Sequence, residues 1–295
     1  MAVYVTGANG KLGQEVLKLI PSAVPLVRKS SGRPNEKFVD FSDEAGLKAA
    51  LSDCDTMIHL AGSMKFYDAK QMRESNLELT KRLLACLPKK ARVIYASSVS
   101  VYGKSLSGIA DEKTPPNPDS EYSKSKYEAE KLVMVRPQSI ALRIAAIYGS
   151  EYEEYSKFLR MIKKGRMVIF GDGKNSVPFV QVSDVAQAIA NSINAEPGIY
   201  LISGEPITQN EIYAIAANAI GARPPSLRIP LSIALSFAHL LEIFAAISGK
   251  KPMITREHIS ILGRNRVFNC EKAKKGLGFS PRPIEQGIRE LASSL

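Results

Sequence analysis

The sequence predicts an α/β fold: a doubly wound parallel sheet, joined to a smaller and mostly C-terminal α/β region. Three observations carry that reading. A short apolar run, Val3 to Thr6, passes through a glycine-spaced turn into an apolar-periodic helix. Apolar runs of strand length then alternate with helical patterns through the first 150 residues, which calls for a parallel sheet with crossover helices. The residues that follow these runs (Gly7, Gly62, Ser98, Tyr148) are small or polar. Open sheets of this kind bind ligands at that end of their strands.

Composition narrows the field. The chain has 295 residues, 45% hydrophobic and 23% charged, the balance of an ordinary globular protein. Its 40 Lys+Arg against 29 Asp+Glu give +11, yet the basic residues come as scattered pairs without stacking aromatics between them. That pattern argues against nucleic acid and fits attraction of a polyanionic cofactor or substrate. Cys54, Cys86 and Cys270 are odd in number and far apart, so neither a disulfide framework nor a zinc cluster is expected. Ala2 to Val5 leads straight into the first strand with no secretory signal, and a cytoplasmic location is expected.

The elements follow in order. After the first strand comes Gly7-Ala8-Asn9-Gly10-Lys11-Leu12-Gly13, then a helix through Ile20. Glycines there let a phosphate approach the backbone, and the helix start offers free N–H groups and partial positive charge. The second strand, Val24 to Val27, ends in Arg28-Lys29. A site selecting NAD would present an acid at that point, whereas Arg28 suits a 2′-phosphate, so NADP is favoured over NAD. Phe38 to Asp43 reads as a third strand, with Asp40 and Phe41 placed near the adenine end, and a helix covers roughly 45–52. Thr56 to Leu60 is a strand that runs into Ala61-Gly62-Ser63, and His59 within it reads as a packed core histidine. One long helix is expected over about 68–87, then a strand from Arg92 that delivers Ser97 and Ser98.

Residues 107–121 read as a Pro-rich loop before a helix that carries Tyr122-Ser123-Lys124-Ser125-Lys126. Positions i and i+4 share a helix face, so Lys126 can sit under Tyr122. A free Tyr titrates near ~10, so a catalytic one working near ~7 needs about 4 kcal/mol from nearby positive charge. Tyr127 and Lys131 repeat the spacing about 140° further round the helix, and spacing alone does not choose between the pairs. Beyond Gly149 the alternation loosens. Ser183-Asp184 is a plausible cap for a helix through Asn194, and Thr208 to Ile220 is helical. Leu231 to Ser248 is the most apolar stretch. It is expected as a buried or substrate-covering helix, with membrane contact disfavoured but open.

Taken together these residues resemble an extended short-chain dehydrogenase/reductase of the NAD-dependent epimerase/dehydratase type. Thr6 to Gly13 matches its T-G-x-x-G-x-x-G loop, Asp40 its acid after the third strand, and His59 to Gly62 its H-L-A-A turn. Asn76 with Thr80 is similar to its N-x-x-G-T helix, with Leu79 in place of the glycine. Ser98 to Gly103 matches S-x-x-V-Y-G, Tyr122 to Lys126 matches Y-x-x-S-K, and Leu142-Arg143 with Tyr148-Gly149 matches L-R-x-x-x-x-Y-G. Gly171 to Gly173 and Phe179 to Val185 resemble the G-D-G…F-x-x-V-x-D-V segment. The family places a serine some two dozen residues before its tyrosine, and Ser98 lies 24 before Tyr122, which selects Tyr122 and Lys126 over Tyr127 and Lys131.

The resemblance implies a Rossmann domain over 1–150 and 177–204 and a substrate-binding region over 151–176 and 205–295. It implies Tyr122 as acid/base, Lys126 holding the nicotinamide ribose and lowering the phenol's pKa, and Ser98 orienting the substrate oxygen. Cofactor contacts are implied at Gly7, Asn9, Gly10, Lys11, Leu12, Gly13, Arg28, Asp40, Phe41, Leu60, Ala61, Gly62 and Ser97. A small-molecule substrate and a homodimer formed by the helices around 68–87 and 122–135 are also implied. Ala146 stands where many nucleotide-sugar members carry Asn, and 174–178 lacks their diphosphate-binding Arg. These departures favour the dihydroflavonol-reductase and 3β-hydroxysteroid-dehydrogenase branch, with Lys157, Lys174 or Arg223 as cations that could replace the lost contacts. The alternative is a nucleotide-sugar epimerase or dehydratase with tightly held NAD.

Overall fold

The computed structural model describes residues 1–33, 35–104, 106–293 and 295. Seven parallel strands form the central sheet: β1 (Val3–Thr6), β2 (Val24–Val27), β3 (Lys37–Phe38), β4 (Thr56–His59), β5 (Arg92–Ser98), β6 (Ile140–Ile144) and β7 (Gly198–Ile202). Their spatial order is β7-β6-β5-β4-β1-β2-β3. The chain starts in the middle and winds outward both ways, so the strand order reverses beside β1 and opens a crevice at the carboxyl ends. Both sheet faces are covered, which explains why the strands read as continuous apolar runs. Val3 and Val5 enter one core with Val16, Val185 and Ile189, while Tyr4 between them enters the other with Leu47, Leu83 and Val133.

The helices that build these layers are α1 (Lys11–Leu19), α2 (Glu44–Ala50), α3 (Ala69–Arg73, continued by a π-helical turn Glu74–Glu78 and by Leu79–Cys86) and α4 (Glu121–Met134). Further along come α5 (Glu153–Lys163), α6 (Val182–Asn191), α7 (Gln209–Ala219), α8 (Leu231–Ser248), α9 (Arg256–Gly263), α10 (Glu271–Leu277) and α11 (Ile284–Ser293). Helices α5, α7 and α11 share a third core of Leu159, Ile162, Ile212, Ala216, Ile288 and Leu291, set over the carboxyl ends of the strands.

Several elements differ from expectation. The third strand is two residues long: Asp40 accepts from the Ser42 N–H (2.8 Å) and hydroxyl (2.6 Å), and this local turn ends the ladder. The loop 107–121 contains a strand, Ile109–Ala110, paired with Val267–Phe268, a partner too distant in sequence for local pattern to reveal. The cap of α6 is Gln181, whose side chain accepts from Ser183 N–H, while Asp184 instead holds Arg282 (3.0 Å). The largest correction concerns 231–248. It is helical over that range, but only 17% of it is buried and none of it lines the cavity described below. Composition gave the apolarity; it could not show that α8 buries Ala234, Ala238 and Ala245 and turns Ile233, Phe237, Leu240, Phe244 and Ile247 outward.

Candidate active site

The site lies at the carboxyl ends of β1, β4, β5 and β6, in a cavity of about 870 Å³ that extends under the C-terminal helices. One end is the glycine turn. Gly7 has φ 71°, a conformation that favours glycine, and a Cβ on Gly13 would lie 2.3 Å from the Gly7 carbonyl oxygen. The first helical position is preceded by Gly10, whose N–H donates to that carbonyl (2.9 Å) and which offers no side-chain cap. The first N–H groups of α1 are thus left for an incoming anion. Gly7, Gly10, Lys11, Leu12 and Gly13 all line the cavity, as do Leu60, Gly62 and Ser97.

Asn9, Arg28, Asp40, Phe41 and Ala61 are not among its lining residues. Asn9 donates to the Lys29 carbonyl (3.2 Å) and accepts from Arg33 (3.1 Å), which ties the glycine turn to the loop after β2. Arg28 is exposed on that loop, Phe41 packs on a core, and Ala61 N–H donates to Thr6 Oγ1 (3.3 Å). Arg33 is a second guanidinium at this place that sequence reasoning passed over. Its contact with Asn9 depends on a turn geometry no motif records.

At the middle of the cavity Ser98, Tyr122 and Lys126 come together. Ser98 ends β5, and its hydroxyl accepts from Ser100 N–H (3.1 Å) at the start of a 3-10 turn, Val99–Tyr102. α4 starts one residue before Tyr122, held by a reciprocal cap: Ser123 N–H donates to Ser120 Oγ (3.2 Å) and Ser120 N–H donates to Ser123 Oγ (2.9 Å). Phe66 packs edge-on to Tyr122 (centroids 5.5 Å) and to His258 (5.1 Å), closing the wall beside the phenol. Tyr127 and Lys131 pair with each other, the ammonium 5.0 Å from the ring centroid, away from the cavity lining.

The expected charge coupling is absent in this state. Burial raises the Tyr122 pKa above its usual value, the Ser98 hydroxyl pulls it down, and Glu257 pushes it up. Lys126 is not among the groups that shift the phenol; burial drops its own pKa to about 7, against the pull of Glu130, which raises it. Its ammonium donates to the Ala96 carbonyl and stands 4.3 Å over the Tyr95 ring. Desolvation disfavours the charged ammonium at this depth.

Around these groups the scaffold is hydrogen-bonded. His59 is buried between Thr6 Oγ1 (2.7 Å to Nδ1) and Thr80 Oγ1 (2.9 Å to Nε2). Thr80 spends its proton on the Asn76 carbonyl (2.7 Å), so Nε2 must donate and Nδ1 accept, the neutral tautomer. Burial lowers that histidine's pKa to about 3. Asn76, in the π-helical turn of α3, accepts from Ser63 N–H (2.7 Å) and donates to Ser125 Oγ (3.1 Å), which fixes the turn after β4 against α4.

The far end of the cavity is walled by apolar side chains such as Phe158, Met167, Ile212, Ile261 and Leu262, together with Glu257 and Arg266. Glu257 is held by Lys104 (2.8 Å). Arg266 is 5% exposed, its Nε has no partner, and its guanidinium makes no ion pair among the described residues. Neither residue was singled out by sequence, since both lie in segments without motif. Lys157, Lys174 and Arg223 are exposed and do not line the cavity.

The model of the NAD dependent epimerase/dehydratase family matches residues 3–203. Short-chain dehydrogenase/reductase family 42E member 1 of Mus musculus is 29% identical over 249 residues, spanning 73% of this chain and 63% of its own length. 3beta-hydroxysteroid-dehydrogenase/decarboxylase isoform 2 of Arabidopsis thaliana is 28% identical over 305 residues, spanning 90% of this chain and 52% of its own. The chain thus spans between half and two thirds of those relatives. The solved structure of MoeE5 in complex with UDP-glucose and NAD shares the fold, with a TM-score of 0.77 at 23% identity over 100% of this chain and 98% of that one.

Proposed function

We propose that this chain, which belongs to the NAD dependent epimerase/dehydratase family, moves a hydride between a nicotinamide cofactor and a carbonyl or hydroxyl carbon of a small or hydrophobic substrate. The observation that carries this reading is the meeting of Ser98, Tyr122 and Lys126 in one cavity whose other end is the glycine turn. The tight backbone packing at Gly7 and Gly13, which leaves no room for a Cβ, brings the turn onto the uncapped start of α1, an arrangement that fits a dinucleotide's phosphates. Bound there, the dinucleotide would supply or accept the hydride.

The chain's own residues then handle the proton and the placement. Tyr122 exchanges a proton with the substrate oxygen, whose charge changes as hydride moves. Ser98 donates to that oxygen and to the phenol by turns, and Lys126 holds the nicotinamide ribose. The apolar far wall favours a hydrophobic substrate, in keeping with the 3beta-hydroxysteroid substrate that the Arabidopsis relative's name states. Arg28, with Arg33 nearby and no acid at the end of β2, favours NADP.

A panel of aldehydes, ketones, sterols and nucleotide sugars, followed by the absorbance of reduced nicotinamide, tests the reaction. Turnover of a hydrophobic carbonyl or alcohol is expected, and silence across the panel would count against it. NADPH should bind at least about tenfold more tightly than NADH, and Arg28→Ala should erase most of that preference. Equal binding by the unaltered chain would remove the NADP reading.

A second reading, a nucleotide-sugar epimerase or dehydratase, is favoured by Arg266. A buried guanidinium at the substrate end, with no ion pair among the described residues, suits a diphosphate or carboxylate. Retention of NAD through purification, turnover of UDP-sugars and a raised KM in Arg266→Gln would support that reading over the first.

A further inference from the structure

α8 packs by its alanines with Leu231 and Leu235, and exposes most of its other large side chains. Ala234 and Ala238 sit on a small core with Phe170 and Ile259. On the other side Ile233, Phe237, Leu240, Phe244 and Ile247 are 59%, 58%, 63%, 66% and 82% exposed. Their spacing alternates four and three residues, so they form one continuous stripe along the helix. Leu227 before it and Met253 after it are exposed as well, 62% and 89%. A contiguous apolar stripe of this size marks a contact surface, unlike the scattered apolar residues of an ordinary exterior.

Charge selects the occupant. Residues 221–256 carry Arg223, Arg228, Lys250, Lys251 and Arg256 against one acid, Glu242. Glu242 is already taken by Arg256 (2.7 Å), which leaves Arg223 and Arg228 ahead of the stripe and Lys250 and Lys251 behind it, all four exposed. Two copies meeting through this face would bring like charges together, whereas an anionic headgroup layer attracts both ends. At about 27 Å the helix is long enough to cross a bilayer. Its alanine face is occupied by the rest of the protein, so it meets a membrane lying in the plane of the interface.

We propose that α8, with Leu227 and Met253 at its ends and the four flanking cations, docks this protein on the surface of a bilayer that contains anionic lipid. α9 lies between that surface and the cavity: Ile259 packs towards α8, and Ile261 and Leu262 line the cavity. Docking therefore brings the apolar end of the cavity within one helix of the membrane. This inference stands apart from the reaction proposed above, because its test reads no turnover.

The test is co-sedimentation of the whole chain with vesicles of phosphatidylcholine alone and of phosphatidylcholine with phosphatidylglycerol. The chain should pellet with the anionic vesicles and be released by salt. Phe237→Glu with Phe244→Glu should cut the bound fraction about tenfold. Lys250→Glu with Lys251→Glu should weaken binding to the anionic vesicles with an unchanged thermal transition. Failure to pellet with either vesicle, or full binding by the Phe237→Glu/Phe244→Glu variant, would overturn the proposal. So would a dimer in lipid-free solution that this variant converts to monomer, since that assigns the face to a second copy.

Discussion

At the scale of single residues, the site works by balancing burial against hydrogen bonds. Tyr122 is pushed up by burial and drawn down by Ser98. Alcohol oxidation needs the phenolate, so its rate should climb with pH through the Tyr122 ionisation. Ser98→Ala removes the lowering contact, and the climb in a pH profile of kcat/KM should then move to higher pH with a reduced plateau. An unmoved profile would detach Ser98 from the phenol. His59 gives a second pH signature. Its folded pKa of about 3 lies below its ordinary value, so the folded state binds fewer protons than the unfolded one between pH 6.5 and 3. That stability is present above pH 6.5 and is lost as pH falls, at a slope approaching about 1.4 kcal/mol per pH unit. Urea unfolding across this range should show the slope, and His59→Gln should flatten it. The sequence marked Tyr122, Ser98 and Lys126 through their motifs, and His59 as a core residue. It could not show Lys126 turned to the Ala96 carbonyl, because that depends on how deeply the ammonium is buried.

At the scale of elements, β5, β6 and α4 are locked together by a buried ion pair. Arg143 and Glu130 are each 2% exposed and meet at 2.7 Å; Glu130 also accepts from Ser97 (2.6 Å), and Arg143 donates to Tyr102 (2.6 Å). The strand that delivers Ser98 is thereby fixed against the helix that delivers Tyr122. Glu130→Ala would leave the buried Arg143 guanidinium without its carboxylate and the Ser97 hydroxyl without its acceptor, and should cost about 3–5 kcal/mol in urea unfolding. A loss within experimental error would mean the pair is not what joins the elements. Strand, glycine turn and α1 were legible from sequence because their apolar run, glycine spacing and helical period are written in consecutive residues. The strand Ile109–Ala110 was not, since its partner Val267–Phe268 lies far along the chain. The orientation of α8 was not either, because an all-round apolar helix gives no periodicity from which to choose a face.

At the scale of the whole molecule, the sheet order puts the glycine turn, Ser98 and Tyr122 on one rim, and the core formed by α5, α7 and α11 roofs that rim over an 870 Å³ cavity. The first half of this arrangement follows from alternating strands and helices, whose connections permit few topologies. The roof does not, since its walls come from segments without motif, and Glu257 and Arg266 emerge only when the cavity is closed. The central claim is that hydride transfer at this rim depends on the Tyr122 phenol. The most direct measurement is turnover by Tyr122→Phe beside the unaltered chain, on whichever substrate the panel identifies, with dinucleotide affinity determined for both. The account predicts kcat lowered by roughly 10²–10⁴ with dinucleotide binding retained. Turnover by Tyr122→Phe at the rate of the unaltered chain would contradict it.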